Sequence, residues 1–273
     1  MRRKAEALLR SGLRSTFGIW PLFEARTKAR HWPSAVRAHA TERSEVRRLR
    51  RTVDVPPALV VTVIPTYRRP ESLGRAVQSA LAQTVRDHVV IVVDDGGGLP
   101  PLPDDERLVA VSLSRNIGRA GCVRNVGIAL SSSTYLAFLD DDNEWRPHHL
   151  ATALEALDSG LDLVYTGLER IHPDGTLLDV VSRPFDRRSL REWMCVDTNC
   201  IVVRRGLGVR FSRLPRSSPK APPEDWELVW RLSRRARVRH VPETTVIYLV
   251  NPDSYYTRWD SQAAPPDGVR APR

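Results

Sequence analysis

The chain has 273 residues, an apolar share of 41% and a formal net charge of +10. That length and composition fit one large or two small globular domains and exclude a wholly disordered chain. Three cysteines (Cys122, Cys195 and Cys200) without CxxC spacing argue against a disulfide framework and a zinc site, and the absence of a run of about 18 apolar residues argues against a transmembrane helix, so the expected location is cytoplasmic, with membrane association left open.

The charge is unevenly placed. Residues 1–51 carry 14 Arg and Lys against 4 Asp and Glu, and the remaining 28 basic residues are balanced by 28 acidic ones. Residues 1–54 therefore form a basic extension, expected as one or two helices, with Leu8, Leu9 and Leu13 on one face. Three roles suit such an arm: packing on the domain or a partner subunit, lying on an anionic membrane surface, or contacting nucleic acid. No nucleic-acid-binding motif accompanies it, so no nucleic-acid partner is expected.

Pro56 and Pro57 mark a linker. Beyond it, strands are expected at "LVVTVIPTY", "HVVIVVDDGGG", "RLVAVSLS", "TYLAFLDDD" and "LDLVYTGLERI", and helices at "PESLGRAVQSALAQ", "GCVRNVGIALSS" and "RPHHLATALEALDSG". Alternating buried strands and amphipathic helices predict an α/β domain with a mostly parallel sheet flanked by helices. The tail from Gln262 reads as disordered.

Ligands of open α/β sheets sit beyond the carboxyl ends of the strands. Three strand ends here carry polar residues: Pro65, Thr66 and Tyr67; Asp94, Asp95 and Gly96; and Asp140, Asp141 and Asp142. An Asp-Gly pair after a strand is by itself usually a turn, but three such ends in one sheet point to a functional edge. Consecutive carboxylates repel unless a positive partner joins them, and an all-oxygen donor set suits Mg2+ or Mn2+ shared with substrate phosphates. "SRNIGRAGCVRN" supplies Arg119 and Arg124 at a helix start suited to phosphates, whereas Arg115 reads as surface.

The segments "VTVIPTYRRPESLGRAVQSALAQ", "VVIVVDDGG", "SRNIGRAGCVRNVGIALSSSTYLAFLDDDNEW" and "PPEDWELVWRLSRR" resemble, in order and spacing, family 2 glycosyltransferases of the GT-A fold. The resemblance implies a nucleotide-sugar-binding half over 55–157, an acceptor and catalytic-base half over 158–258, and a tail over 259–273. It implies a UDP- or dTDP-sugar donor, an acceptor hydroxyl, an inverting mechanism and a divalent metal. Pro65, Thr66, Tyr67 and Arg69 would line the nucleotide pocket, with Tyr67 on the base. Asp95, or Asp94 beside it, would accept from the base. Asn116, Arg119 and Arg124 would face the nucleotide or diphosphate. Asp142 would be the direct metal ligand, Asp141 the ribose or sugar contact, and Asp140 a member of both sets. In "PEDWE", Asp225 would be the catalytic base, with Glu224 beside it. The acids also suit a helix N-terminus, where they complement the dipole.

Two features depart from the family pattern. Asn251 stands where many relatives carry a histidine able to approach the metal, and the acceptor loop "RFSRLPRSSPKAPPEDW" is rich in Arg, Ser and Pro. The charge of Arg213, Arg216 and Lys220 suggests an acidic or phosphorylated acceptor. Trp145 and Trp193 are candidates for stacking on sugar. The alternatives are a sugar-nucleotide pyrophosphorylase, which would carry a Gly-rich loop where "IPTYRRPES" has none, and a non-catalytic scaffold docked through the basic arm.

Overall fold

The computed structural model describes residues 2–194, 196–216 and 222–250, with side chains from residue 9 onward. Cys195, Lys220, Asn251 and the expected tail lie outside the described residues.

Two helices precede the sheet: α1 (Arg2–Phe17) and α2 (Ile19–Leu49). Gly18, at φ +87°, breaks the chain between them; a left-handed residue there is accessible to glycine without a Cβ penalty. Pro21 sits in the first turn of α2, where its missing N–H costs nothing.

The remaining elements are β1 (Val60–Thr66), α3 (Pro70–Leu81), β2 (His88–Asp94), β3 (Leu108–Ser112), α4 (Ala120–Leu130), β4 (Tyr135–Phe138), β5 (Glu144–Trp145), α5 (His149–Asp158), β6 (Leu163–Ile171), β7 (Leu177–Val181), β8 (Ile201–Arg204), α6 (Glu224–Leu232) and β9 (Val238–Leu249). They build a single nine-stranded sheet in the order β3-β2-β1-β4-β8-β6-β9-β5, with β7 alongside β6. The β3-β2-β1-β4 portion is parallel. β8 then runs antiparallel to both β4 and β6, while β9 is parallel to β6. The two halves expected from sequence thus share one sheet, joined at the β4–β8 and β5–β9 pairs.

Every residue of β1, β2 and β4 is buried, as befits parallel strands covered on both faces. α3 buries Leu73, Ala76, Val77 and Ala80 against them, and α4 buries Cys122, Val123, Val126 and Ile128. The chain moves outward from β1 to β2 and β3, then returns across β1 to β4. That reversal opens a crevice at the carboxyl ends of β1 and β4, the switch point where ligands of such sheets bind.

Candidate active site

A cavity of about 750 Å³ occupies this crevice. β1 delivers Pro65, Thr66 and Tyr67, and the turn after it delivers Arg69. The segment after β2 contributes Asp95, the start of α4 contributes Arg119 and Arg124, and Asn116 lies just before it. Asp140, Asp141 and Asp142 follow β4, and Glu224 opens α6. Of the described residues expected in the site, Asp94, Trp145, Trp193, Arg213 and Asp225 do not line the cavity.

Asp94 is fully buried, and its carboxylate accepts from the backbone N–H groups of Gly97 and Gly98, at 2.9 Å each. It closes the turn after β2. Asp95 lines the cavity while accepting from the N–H groups of Ile117 (2.7 Å) and Gly118 (2.8 Å), which ties the loop before α4 to the end of β2. Burial pushes its carboxyl up against those two hydrogen bonds. Tyr67 remains 40% exposed at the cavity mouth, with the Arg68 guanidinium 5.1 Å from its ring centre.

β4 ends at Phe138, so the three aspartates lie in a turn and strand alternation does not govern them. Asp141 accepts from the Thr66 hydroxyl (2.7 Å) and from Arg69 (3.3 Å), and Asp142 pairs with the same Arg69 guanidinium. Asp140 turns the other way, to Arg124. Burial pushes the Asp141 carboxyl up to about 6 and raises that of Asp142, the latter helped by Asp140 and opposed by Arg69.

Arg124 is buried and bridges Asp140 and Glu224. Burial works against its charge, but the two carboxylates outweigh that cost and raise its pKa. Its guanidinium lies 5.0 Å over the Phe211 ring, and its Nε has no hydrogen-bond partner. Glu224 also accepts from the Gly121 N–H (3.1 Å). A Cβ at Gly121 would stand 2.7 Å from the Glu224 carboxylate and 2.9 Å from the Phe211 Cβ, so this contact between α4 and α6 requires glycine.

Asp225 lies in the first turn of α6 beside Glu224 and is 8% exposed. Burial pushes its carboxyl up to about 7, with Asp197 and Glu224 adding to the rise. Asp197, which the sequence reading missed, is itself pushed up to about 6 by burial and by Asp140. Asn199 links them: its amide donates to Asp197 (2.7 Å) and Asp140 (3.3 Å), and its side-chain oxygen accepts from the Asp140 N–H (2.6 Å). Nothing in "DTNC" beyond an Asx-type cap pattern signals that role.

Leu214, Pro215 and Arg216 from the loop before α6 and Tyr248 from β9 also line it. The loop arginines do not present free charge to the cavity. Arg213 pairs with Glu42 of α2 (2.5 Å), and half-buried Arg216 pairs with buried Glu24 of α2 (2.7 Å). Arg119 donates to the Ser34 hydroxyl of α2 (2.5 Å) and to the Arg213 carbonyl (2.6 Å). The extension therefore braces the site through α2, which holds Arg119, Arg213 and Arg216 without lining the cavity itself, in keeping with a helix packed on the domain. Trp145 is core rather than a sugar platform: it is buried, donates to the Asn199 carbonyl (2.8 Å) and stacks on His149 at 4.2 Å. Trp193 is exposed beneath Arg183.

Among the described residues no group of three His, Cys, Asp or Glu side chains is arranged to hold a metal. Asp140 and Asp142 do face the cavity, each ion-paired to an arginine. That donor set does not fit an all-protein metal cage. It fits a hard cation that takes one or two carboxylates and completes its shell with phosphate oxygens and water.

The profile of the family described as "Glycosyl transferase family 2" matches residues 61–210. The chain belongs to glycosyltransferase family 2. Among its relatives, the succinoglycan biosynthesis protein ExoW of Rhizobium meliloti (strain 1021) is 35% identical over 185 residues, 56% of this chain and 58% of that protein. ExoO of the same organism is 33% identical over 138 residues, covering 46% and 39%. The chain thus spans only part of the length of these relatives. The crystal structure of S. aureus TarS 1–349 in complex with UDP-GlcNAc superposes with a TM-score of 0.56 at 16% identity, over 72% of this chain and 60% of that one. The glycosyltransferase fold expected from the motifs is the one observed, and α1 and α2 both lie before the family match.

Proposed function

We propose that the protein transfers a sugar from a nucleoside-diphosphate sugar, UDP or dTDP, to an acceptor hydroxyl with inversion at the anomeric carbon. The observation that carries this reading is the switch-point cavity, where an exposed tyrosine, a loop-tied aspartate, arginines at a helix start and three carboxylates converge beside a buried acid held near neutrality. Family membership supports it, as does the fold shared with a protein solved with UDP-GlcNAc.

In this reading Tyr67 stacks on the base and Asp95 accepts from it. Asn116 and Arg119 meet the diphosphate at the start of α4, whose dipole favours negative charge. Asp141 holds a ribose or sugar hydroxyl. Mg2+ or Mn2+, held by Asp142 and Asp140, would neutralise charge on the departing diphosphate when bound. Asp225 takes the acceptor proton as the acceptor oxygen bonds to the anomeric carbon, and the bond from that carbon to the diphosphate oxygen breaks. A carboxyl raised to about 7 is matched to such work near neutral pH. Arg124 holds Glu224 and Asp140 in register across the cavity.

The direct test is a panel of nucleotide sugars with and without Mn2+, read as thermal stabilisation of the protein and then as release of nucleoside diphosphate. The expected result is metal-dependent stabilisation by a UDP- or dTDP-sugar followed by slow diphosphate release. A nucleoside-triphosphate requirement with pyrophosphate as the product would favour a pyrophosphorylase instead.

A further inference from the structure

Residues 1–51 hold the chain's whole excess of positive charge. Glu24, Glu42 and Glu45 of α2 are buried and engaged with Arg216, Arg213 and Arg48. The outward side of α2 therefore keeps its arginines without those acids. Trp32, Val36, Arg43 and Arg47 fall within roughly 60° of arc at the helical repeat. Trp32 is 65% and Val36 51% exposed. On α1, Leu9, Leu13 and Phe17 share a stripe at i, i+4 and i+8, and all three are exposed. An amphipathic helix normally turns such a stripe inward.

The arginine end of the α2 face opens on a second cavity, of about 640 Å³, between α2, α4 and residues 209–213. Arg43, Arg47, Arg50, Arg51, Arg210 and Arg213 line it over a floor of Val46, Ile128, Ala129 and Val209. Its one acid, Glu42, is bound by Arg213 and Asn125. The side chains of Arg43, Arg47, Arg51 and Arg210 make no hydrogen bond or ion pair with a described residue. Clustered guanidinium groups over an apolar floor concentrate positive potential and suit phosphate oxygens.

We propose that this face of the N-terminal extension docks on an anionic phospholipid bilayer, with Trp32, Val36 and the α1 stripe at the acyl boundary and headgroup phosphates in the arginine groove. Exposed aromatic and aliphatic side chains beside unpaired cations are the pairing that an anionic interface rewards. A second copy of the chain would bring a like-charged face against this one, which disfavours self-association there. The helix that braces the arginines beside the sugar-transfer cavity would then also fix that cavity relative to the membrane.

The test is co-sedimentation of the full chain with phosphatidylglycerol–phosphatidylcholine vesicles against phosphatidylcholine alone. The expected result is binding to the anionic vesicles only, weakened by salt. Arg43→Gln/Arg47→Gln should lower partitioning by on the order of tenfold or more. Trp32→Ser/Phe17→Ser should also lower it, with an unchanged thermal melt and unchanged donor binding showing that the fold is intact. Equal binding to neutral vesicles, or none by the parent chain, would overturn the proposal. So would a concentration-dependent dimer abolished by Trp32→Ser. Saturable pyrophosphate binding lost in Arg43→Gln/Arg47→Gln, without vesicle adhesion, would make the groove a soluble-anion site instead. None of these outcomes depends on which sugar is transferred.

Discussion

Arg69 and Arg124 divide the aspartate triplet between them, one holding Asp141 and Asp142, the other Asp140. The positive partners in the structure are thus two arginines of the chain itself, and any bound cation competes with Arg69 for Asp142. Asp142→Asn should remove the metal-dependent part of UDP binding and leave the metal-independent part, as read by UDP titration with Mn2+ or with chelator. Asp225 carries a second prediction at this scale. Its folded pKa lies above the ordinary aspartate value, so the folded state binds the extra proton between about 4 and 7 and loses that advantage as pH rises through 7. Asp225→Asn should therefore raise the melting temperature more at pH 8 than at pH 5, by about 2–4 °C for each kcal/mol released. An equal shift at both pH values would contradict the raised pKa.

Strand ends were the legible elements. β1, β2 and β4 are fully buried runs that stop at polar residues, and a buried parallel strand has few ways to be misread. β5, two residues long, and β8, four residues long, take their identity from long-range pairing, which no local pattern encodes. α2 shows the limit most clearly. Its helical character is readable, but part of its packing face is built from Glu24, Glu42 and Glu45, which in sequence resemble a solvated face. Only the fold brings Arg216, Arg213 and Ser114 onto them. For the same reason the acceptor loop's arginines read as a lure for an acidic acceptor, whereas Arg213 and Arg216 fasten the loop. Removing one member of a buried ion pair leaves an uncompensated charge, at about 3–5 kcal/mol. Arg216 keeps a further contact, so Glu24→Gln should lower stability by less than that amount, and it should raise the acceptor KM more than the donor KM, as measured by chemical denaturation and two-substrate kinetics. Donor and acceptor KM values that rise equally would argue against α2 as an acceptor-side brace.

At the scale of the whole molecule, one sheet carries both halves of the site, with Thr66, Asp95 and Asp140 to Asp142 on the parallel side and Glu224 and Asp225 entering from α6. The basic extension closes the loop between them. Among the described residues no helix is long and apolar enough to cross a membrane, so the bilayer contact proposed for the extension is a surface one. The carboxylates of the donor side and the acid of α6 lie more than eighty positions apart in the chain, which permits the two functions to be separated by substitution. The most direct test uses Asp225→Asn with the nucleotide sugar that stabilises the parent protein, measuring donor affinity and diphosphate release on acceptor addition in the same preparation. The account predicts donor affinity within about twofold of the parent and turnover lower by on the order of 10²–10⁴. Turnover equal to the parent's would contradict it.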